Sequence, residues 1–144
     1  MATTVSYSND VVRMFADVET ISAAQTLTAA DSGKTFILDA AAGATITLPA
    51  LKAGLNFRFK VGAAFATTDW VIGSAEGDNI NGIISDMGAT VAGVPAAGED
   101  QINFVASAET VGDYVDLVCD FDNSQWLVSG ACAANGGITV TDPV

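Results

Sequence analysis

Histidine is absent from this 144-residue chain, and basic residues are scarce: 5 Lys and Arg stand against 17 Asp and Glu, a net charge of −12. Without histidine there is no conventional catalytic triad, no imidazole general base and no His-rich metal site. So acidic a chain repels nucleic acid, whose binding rests on several contacts from Lys or Arg to phosphate, and it disfavours anionic membrane surfaces for the same reason. Long apolar runs are missing too, with no stretch approaching the roughly 18 residues of a membrane span. No basic region followed by an apolar run opens the chain, so a secretory signal is not expected and synthesis in a cytoplasm is. Only 2 cysteines occur, too few to complete a zinc site by themselves. In a hairpin centred near Asn123 and Ser124, Cys119 would face Val128 and Cys132 would face about Val115. That leaves the two roughly 13 Å apart along the strands, too far for a disulfide, so free and partly buried thiols are expected.

What remains is β-patterned. A chain of this length fits one domain and buries roughly two-thirds of its unfolded surface. Its 50% hydrophobic content overstates the core, because much of it is alanine in turn-like runs. The large anchors are Phe36, Phe57, Phe59, Phe65, Trp70, Phe104, Phe121 and Trp126. The clearest strand is 55–61, LNFRFKV, where Leu55, Phe57, Phe59 and Val61 face one side and Asn56, Arg58 and Lys60 the other. Lys52, Arg58 and Lys60 supply three of the five basic residues, which makes one small cationic stripe on an anionic object.

Short strands and small-residue turns continue along the chain: strands over 26–29, 35–39, 44–48, 69–72, 101–106, 125–129 and 138–142, with a weak one over 89–94. Residues 73–82, ending in the turn-forming pair Asn81 and Gly82, read as a loop, and so do 95–100. Over 114–121, Val115, Leu117, Cys119 and Phe121 share the inward face and Asp116 and Asp120 the outward one. The pattern predicts an all-β domain over 21–144, an antiparallel β-sandwich or jelly-roll-like barrel. Residues 1–20 differ. Val11, Met14, Phe15 and Val18 recur at helical spacing, with Ser8 or Asn9 as a cap, and predict a short amphipathic N-terminal arm.

Motifs for chemistry are thin. Ser32, Gly33, Lys34 and Thr35 imitate the end of a phosphate-binding loop, but that loop needs a glycine where Thr28 stands and a helix where Phe36, Ile37 and Leu38 read as strand. Asp120, Asp122 and Asn123, and likewise Glu76, Asp78, Asn79 and Asn81, have a faint calcium-loop flavour without the full ligand set; turn chemistry accounts for them. Asp113 with Asp116 reads as a solvated acidic face rather than a glycosidase pair. No enzyme, cofactor or metal is expected. The stripe of Asn56, Arg58 and Lys60 is instead a candidate contact between subunits, its cations meeting Asp116 and Asp120 of a neighbouring copy.

The run TLTAADSGKTFILDAAAGATITLPALKAGLNFRFKV, with SAEGDNINGI and GDYVDLVCD followed by WLVSG, resembles small β-rich virion proteins of tailed bacteriophages. The resemblance implies a capsid decoration, or cement, protein: a β-domain, commonly trimeric, that sits on the outside of the head and braces the major capsid protein. A head- or tail-fibre module that binds the host surface is the competing implication. A short chain from Met1 without a repetitive shaft, and an anionic exterior suited to a DNA-filled shell, favour decoration. The arm residues Val11, Met14, Phe15 and Val18 would then grip the capsid.

Overall fold

Strands in this chain are built from alternating apolar residues separated by Gly-, Asp- and Ser-rich turns, and almost every such alternation becomes a strand. The computed structural model describes residues 17–76, 79–89, 94–122 and 124–143. Six strands come first: β1 (Asp17–Ile21), β2 (Gln25–Thr26), β3 (Lys34–Leu38), β4 (Thr45–Thr47), β5 (Asn56–Val61) and β6 (Trp70–Gly73). Then follow β7 (Ile80–Asp86), β8 (Val94–Glu99), β9 (Gln101–Phe104), β10 (Tyr114–Cys119), β11 (Trp126–Cys132) and β12 (Ile138–Thr141). They form a seven-stranded sheet ordered β1-β3-β5-β10-β11-β7-β8 and a five-stranded sheet ordered β12-β9-β6-β4-β2. The fold is all-β and sandwich-like, with both sheets sharing one core.

Pairing departs from the expected antiparallel scheme. β1 pairs with β3, and β3 with β5, in parallel in the larger sheet, as do β2 with β4 and β4 with β6 in the smaller one. Parallel neighbours need a crossover, and here each crossover is itself a strand of the opposite sheet. The first half of the chain therefore winds back and forth between the sheets as a two-sided coil. The second half returns to hairpin pairing, with β10 antiparallel to both β5 and β11, while β7 joins β11 in parallel. The sheets are mixed.

Four local expectations change as well. Val18 stands in β1 rather than on a helix, so strand structure lies inside the segment read as an arm. The strand expected over 26–29 is only the end of β2, and Ala29–Asp31 is a 3-10 turn. Asn81 and Gly82 do not turn; they lie inside β7. Gly82 is there because a Cβ at this position would fall 2.0 Å from the carbonyl oxygen of Val128 on β11, and its φ of +148° is in the range that favours glycine. The segment expected as a loop over 95–100 is mostly β8 (Val94–Glu99), an edge strand, where the missing N–H of Pro95 is tolerated. Most of the weak strand expected over 89–94 lies outside the described residues.

An aromatic spine crosses the core. Phe36 stacks on Phe59 with centroids 5.4 Å apart and meets Phe57 at 6.4 Å; Phe57 in turn meets Trp126 at 5.7 Å. The facing sheet contributes Ile46, Trp70, Ile72, Ile102, Phe104 and Ile138, all fully buried. Each large side chain of this kind contributes about 1.5–3 kcal/mol on burial. At the β1 end, Lys34 Nζ lies 2.9 Å from Glu19 and 2.8 Å from Asp31. The hydrogen bonds from Lys34 hold both carboxyls below the usual carboxylate range, and the ammonium is raised in return. The β10–β11 register is shifted by two residues from the expected one, placing Cys119 opposite Trp126. Both cysteines are free and buried, and burial pushes both thiols up.

Candidate functional site

Register places the outward residues of the seven-stranded sheet in rows. One row runs Val18, Thr35, Arg58, Asp116, Ser129, Ile83 from β1 to β7. A second, toward the β10–β11 turn, runs Asn56, Val118, Leu127, Asn81. A third, toward the other end, runs Lys60, Tyr114, Ala131, Ser85. Two cations, Arg58 and Lys60, and one anion, Asp116, stand in these rows, against the strong acidic excess of the whole chain.

Asn56, Arg58 and Lys60 of the cationic stripe sit in the middle of this face, while Lys52 is exposed in the turn before β5. Arg58 makes a two-pronged ion pair with Asp116 directly across the β5–β10 register: Nε donates to Oδ1 and the terminal nitrogen to Oδ2 at 2.7 Å. The bonds to Asp116 raise the guanidinium further. Its carbon lies 5.6 Å from the Tyr114 ring centroid, and Lys60 Nζ lies 5.7 Å from the same centroid. Asn56 donates its side-chain amide to the Gly54 carbonyl at 3.1 Å. The acidic partner expected from a neighbouring copy is therefore supplied, for Arg58, by its own chain.

Asp120 is also committed locally. Its carboxylate accepts from the Ser124 N–H and hydroxyl, each at 2.9 Å, and from the Gln125 N–H at 3.3 Å, closing the β10–β11 turn. Desolvation pushes this carboxyl up, but the bonds from Ser124 and Gln125 outweigh it and carry it from 3.8 down to about 2. A carboxyl depressed on folding lends stability that is present above its unfolded pKa and lost as pH falls through the folded one. The wild type should therefore lose melting temperature between about pH 4 and about pH 2, and Asp120→Asn should flatten that decline while melting lower at neutral pH. Parallel melting-temperature curves for the two proteins would contradict this role.

Val18 is exposed on the edge strand β1. Val11, Met14 and Phe15 lie outside the described residues.

Sequence reasoning missed most of the apolar surface. Val18, Ile83, Met87, Val111, Val118, Phe121 and Leu127 are the exposed large apolar residues among those described; all but Val111, which lies in the connection from β9 to β10, belong to the seven-stranded sheet or to turns between its strands. Phe121 reverses an expectation: it was placed inward with Cys119, but β10 ends at Cys119 and the ring stands 89% exposed in the turn. Val118 lies on the outward face of β10 beside Asp116, a position the alternation along 114–121 implies. Leu127 was hidden because its outward position depends on the hairpin register. The outer face of the smaller sheet is more polar: Thr45, Thr47, Thr139 and Thr141 lie there with the half-buried Val71 and the buried Asn103, whose amide donates to the Thr141 hydroxyl at 3.0 Å.

Chemistry is sparse around these residues. Among the described residues no group of His, Cys, Asp or Glu is placed to hold a metal. The buried Asp86 and Asp113 are occupied by backbone N–H groups. Asp86 accepts from Gly88, Ala89 and Gly136, and Asp113 from Thr110 and Ala133. A hollow of about 340 Å³ over Lys34, Arg58, Asp116, Val118 and Leu127 is lined by charged groups already paired, Arg58 with Asp116 and Lys34 with Glu19 and Asp31. Among the described residues, no helix is long and apolar enough to cross a membrane. No protein-family model matches the chain, and no curated protein matches it.

Proposed function

We propose that this chain is a structural protein of a tailed-phage virion, a decoration protein that binds the outside of the head and braces contacts between major capsid subunits as a homotrimer. One observation carries the reading: in a chain of net charge −12, six of the seven exposed large apolar residues described lie on the seven-stranded sheet or in turns between its strands. Surfaces sorted in this way mark contact with other proteins. The area is adequate. Seven strands about 4.8 Å apart and roughly six residues long give a face of roughly 600 Å² before side-chain relief, close to the ~800 Å² that one partner contributes to a standard interface. The resemblance of the runs quoted above to phage virion proteins points the same way.

The mechanism is additive. Each bound copy contributes modest apolar and hydrogen-bonded contact, and the sum over many copies raises the cost of separating capsid subunits. Residues Val11, Met14 and Phe15 of the arm supply apolar docking surface. Arg58 and Lys60 set orientation more than affinity. Removing the gene from the phage tests this: heads without the protein should burst at lower temperature or milder osmotic shock, and equal robustness would contradict it. Removing only residues 2–16, which stops short of β1, should abolish head binding while leaving the melting temperature unchanged.

The parallel coil of β1 to β6 favours a second reading, a fibre or adhesin module that binds the host surface, since coils of this kind extend by adding turns. Such a module would be present in few copies per particle and would bind cells.

A further inference from the structure

Phe121 is the most exposed large apolar side chain among the described residues, and its setting is stiff. The Ser124 hydroxyl lies 2.9 Å from Asp120 and 2.7 Å from Asp122, and the Ser124 N–H donates to Asp120. The ring is thus held out on a braced turn with acids on both sides of it in sequence. The bonds order the turn's backbone before contact, so less of its freedom is lost on binding.

The opposite end of the same hairpin carries a hollow of about 280 Å³, lined by Met87, Val111, Tyr114, Ala131 and Ala133. Met87 is 77% and Val111 61% exposed, so this apolar site is open to solvent. Lys60 Nζ lies 5.7 Å from the ring centroid of Tyr114, which lines the hollow, and among the described residues Lys60 makes no ion pair. Asp86 and Asp113 pin the loops on its rim from below, through Gly88, Ala133 and Gly136. Knob and hollow lie about 23 Å apart along the hairpin, so they cannot meet within one molecule.

We propose that Phe121 of one copy seats in this hollow of the next, bringing Asp122 toward Lys60. The occupant is a second copy of this chain because the matching halves, an apolar ring with flanking acids and an apolar hollow with an uncommitted cation, are on the same chain at opposite ends. The contact is head-to-tail, so it closes into a ring or grows into a filament. It gives the trimer of the proposed function a geometry, and rests on that reading only for the number of copies. Association is measured on the purified full chain without any shell, so it can fail while head binding stands, and the reverse.

Sedimentation of the full chain over a range of concentrations is the test. The wild type should assemble, and Phe121→Ser should weaken assembly about 30-fold or more, as loss of an interface hot spot does, with an unchanged thermal melt. Lys60→Glu and Asp122→Lys should each weaken it about 2- to 5-fold, and the double exchange K60E/D122K should restore it. Mixing the Phe121→Ser protein with a Val111→Asp protein should give a 1:1 dimer, because each retains the half the other lacks. A wild type that stays monomeric at every concentration, a Phe121→Ser protein that assembles normally, or a mixture without dimer would overturn the proposal.

Discussion

Gly82→Ala should destabilise the protein by about 4 kcal/mol or more, enough to leave much of it unfolded at 37 °C given a typical domain stability of 5–15 kcal/mol. Two costs add. A non-glycine residue held at φ +148° carries strain of about 1–3 kcal/mol. The new methyl carbon would also stand 2.0 Å from the Val128 oxygen, 2.9 Å from its carbonyl carbon and 3.0 Å from its Cγ1. Two of those atoms are backbone of the adjacent parallel strand, so relief requires β7 and β11 to separate along a ladder that runs from Ile80 to Asp86. Denaturant unfolding measures the loss. Asn81→Ala, one residue away on the outward face, should shift stability by no more than about 0.5 kcal/mol. A Gly82→Ala protein as stable as the wild type would contradict the β7–β11 pairing.

Asp86→Ala should cost about 3 kcal/mol or more. The carboxylate is buried and accepts from the N–H groups of Gly88 at 3.0 Å, Ala89 at 3.1 Å and Gly136 at 2.8 Å. Hydrogen bonds to a charged group contribute about 1.5–3 kcal/mol each, and truncation leaves three donors to be satisfied elsewhere. Asp86→Asn keeps one acceptor oxygen and should fall between the two. Because Gly88 and Ala89 follow Met87, the loss should also loosen the rim of the hollow. The alanine variant should assemble poorly even at temperatures where its far-ultraviolet circular dichroism is that of the wild type. Normal stability of the alanine variant would show that this end of the sheet is held by something other than the carboxylate.

Local alternation carried most of the fold. The face-sorted run 55–61 became β5 with Phe57 and Phe59 buried, and β3, β4, β6, β9, β10 and β12 fall within about two residues of the expected strands. Where reading failed, the deciding contact was distant in sequence. Asn81 and Gly82 have the composition of a tight turn, and only the approach of Val128 explains a glycine inside a strand. Pro95 reads as a strand breaker unless its strand is known to lie on an edge. Parallel pairing of β1, β3 and β5 depends on the chain alternating between sheets, which no single segment records.

The candidate surface was half legible for the same reason. Arg58 and Asp116 were both recognised as outward and charged, yet their meeting within one chain follows from the β5–β10 register alone. Phe121 was assigned by extending an alternation two residues beyond the last strand residue, Cys119. Charge count and the scarcity of reactive residues, in contrast, needed no structure to read.

Quantitative mass spectrometry and imaging of purified heads, with the protein removed and then added back, test the central claim most directly. A decoration protein returns to the outer surface and saturates at a copy number comparable with the major capsid protein. Failure to bind heads, or recovery of only a few copies at the tail, would contradict it.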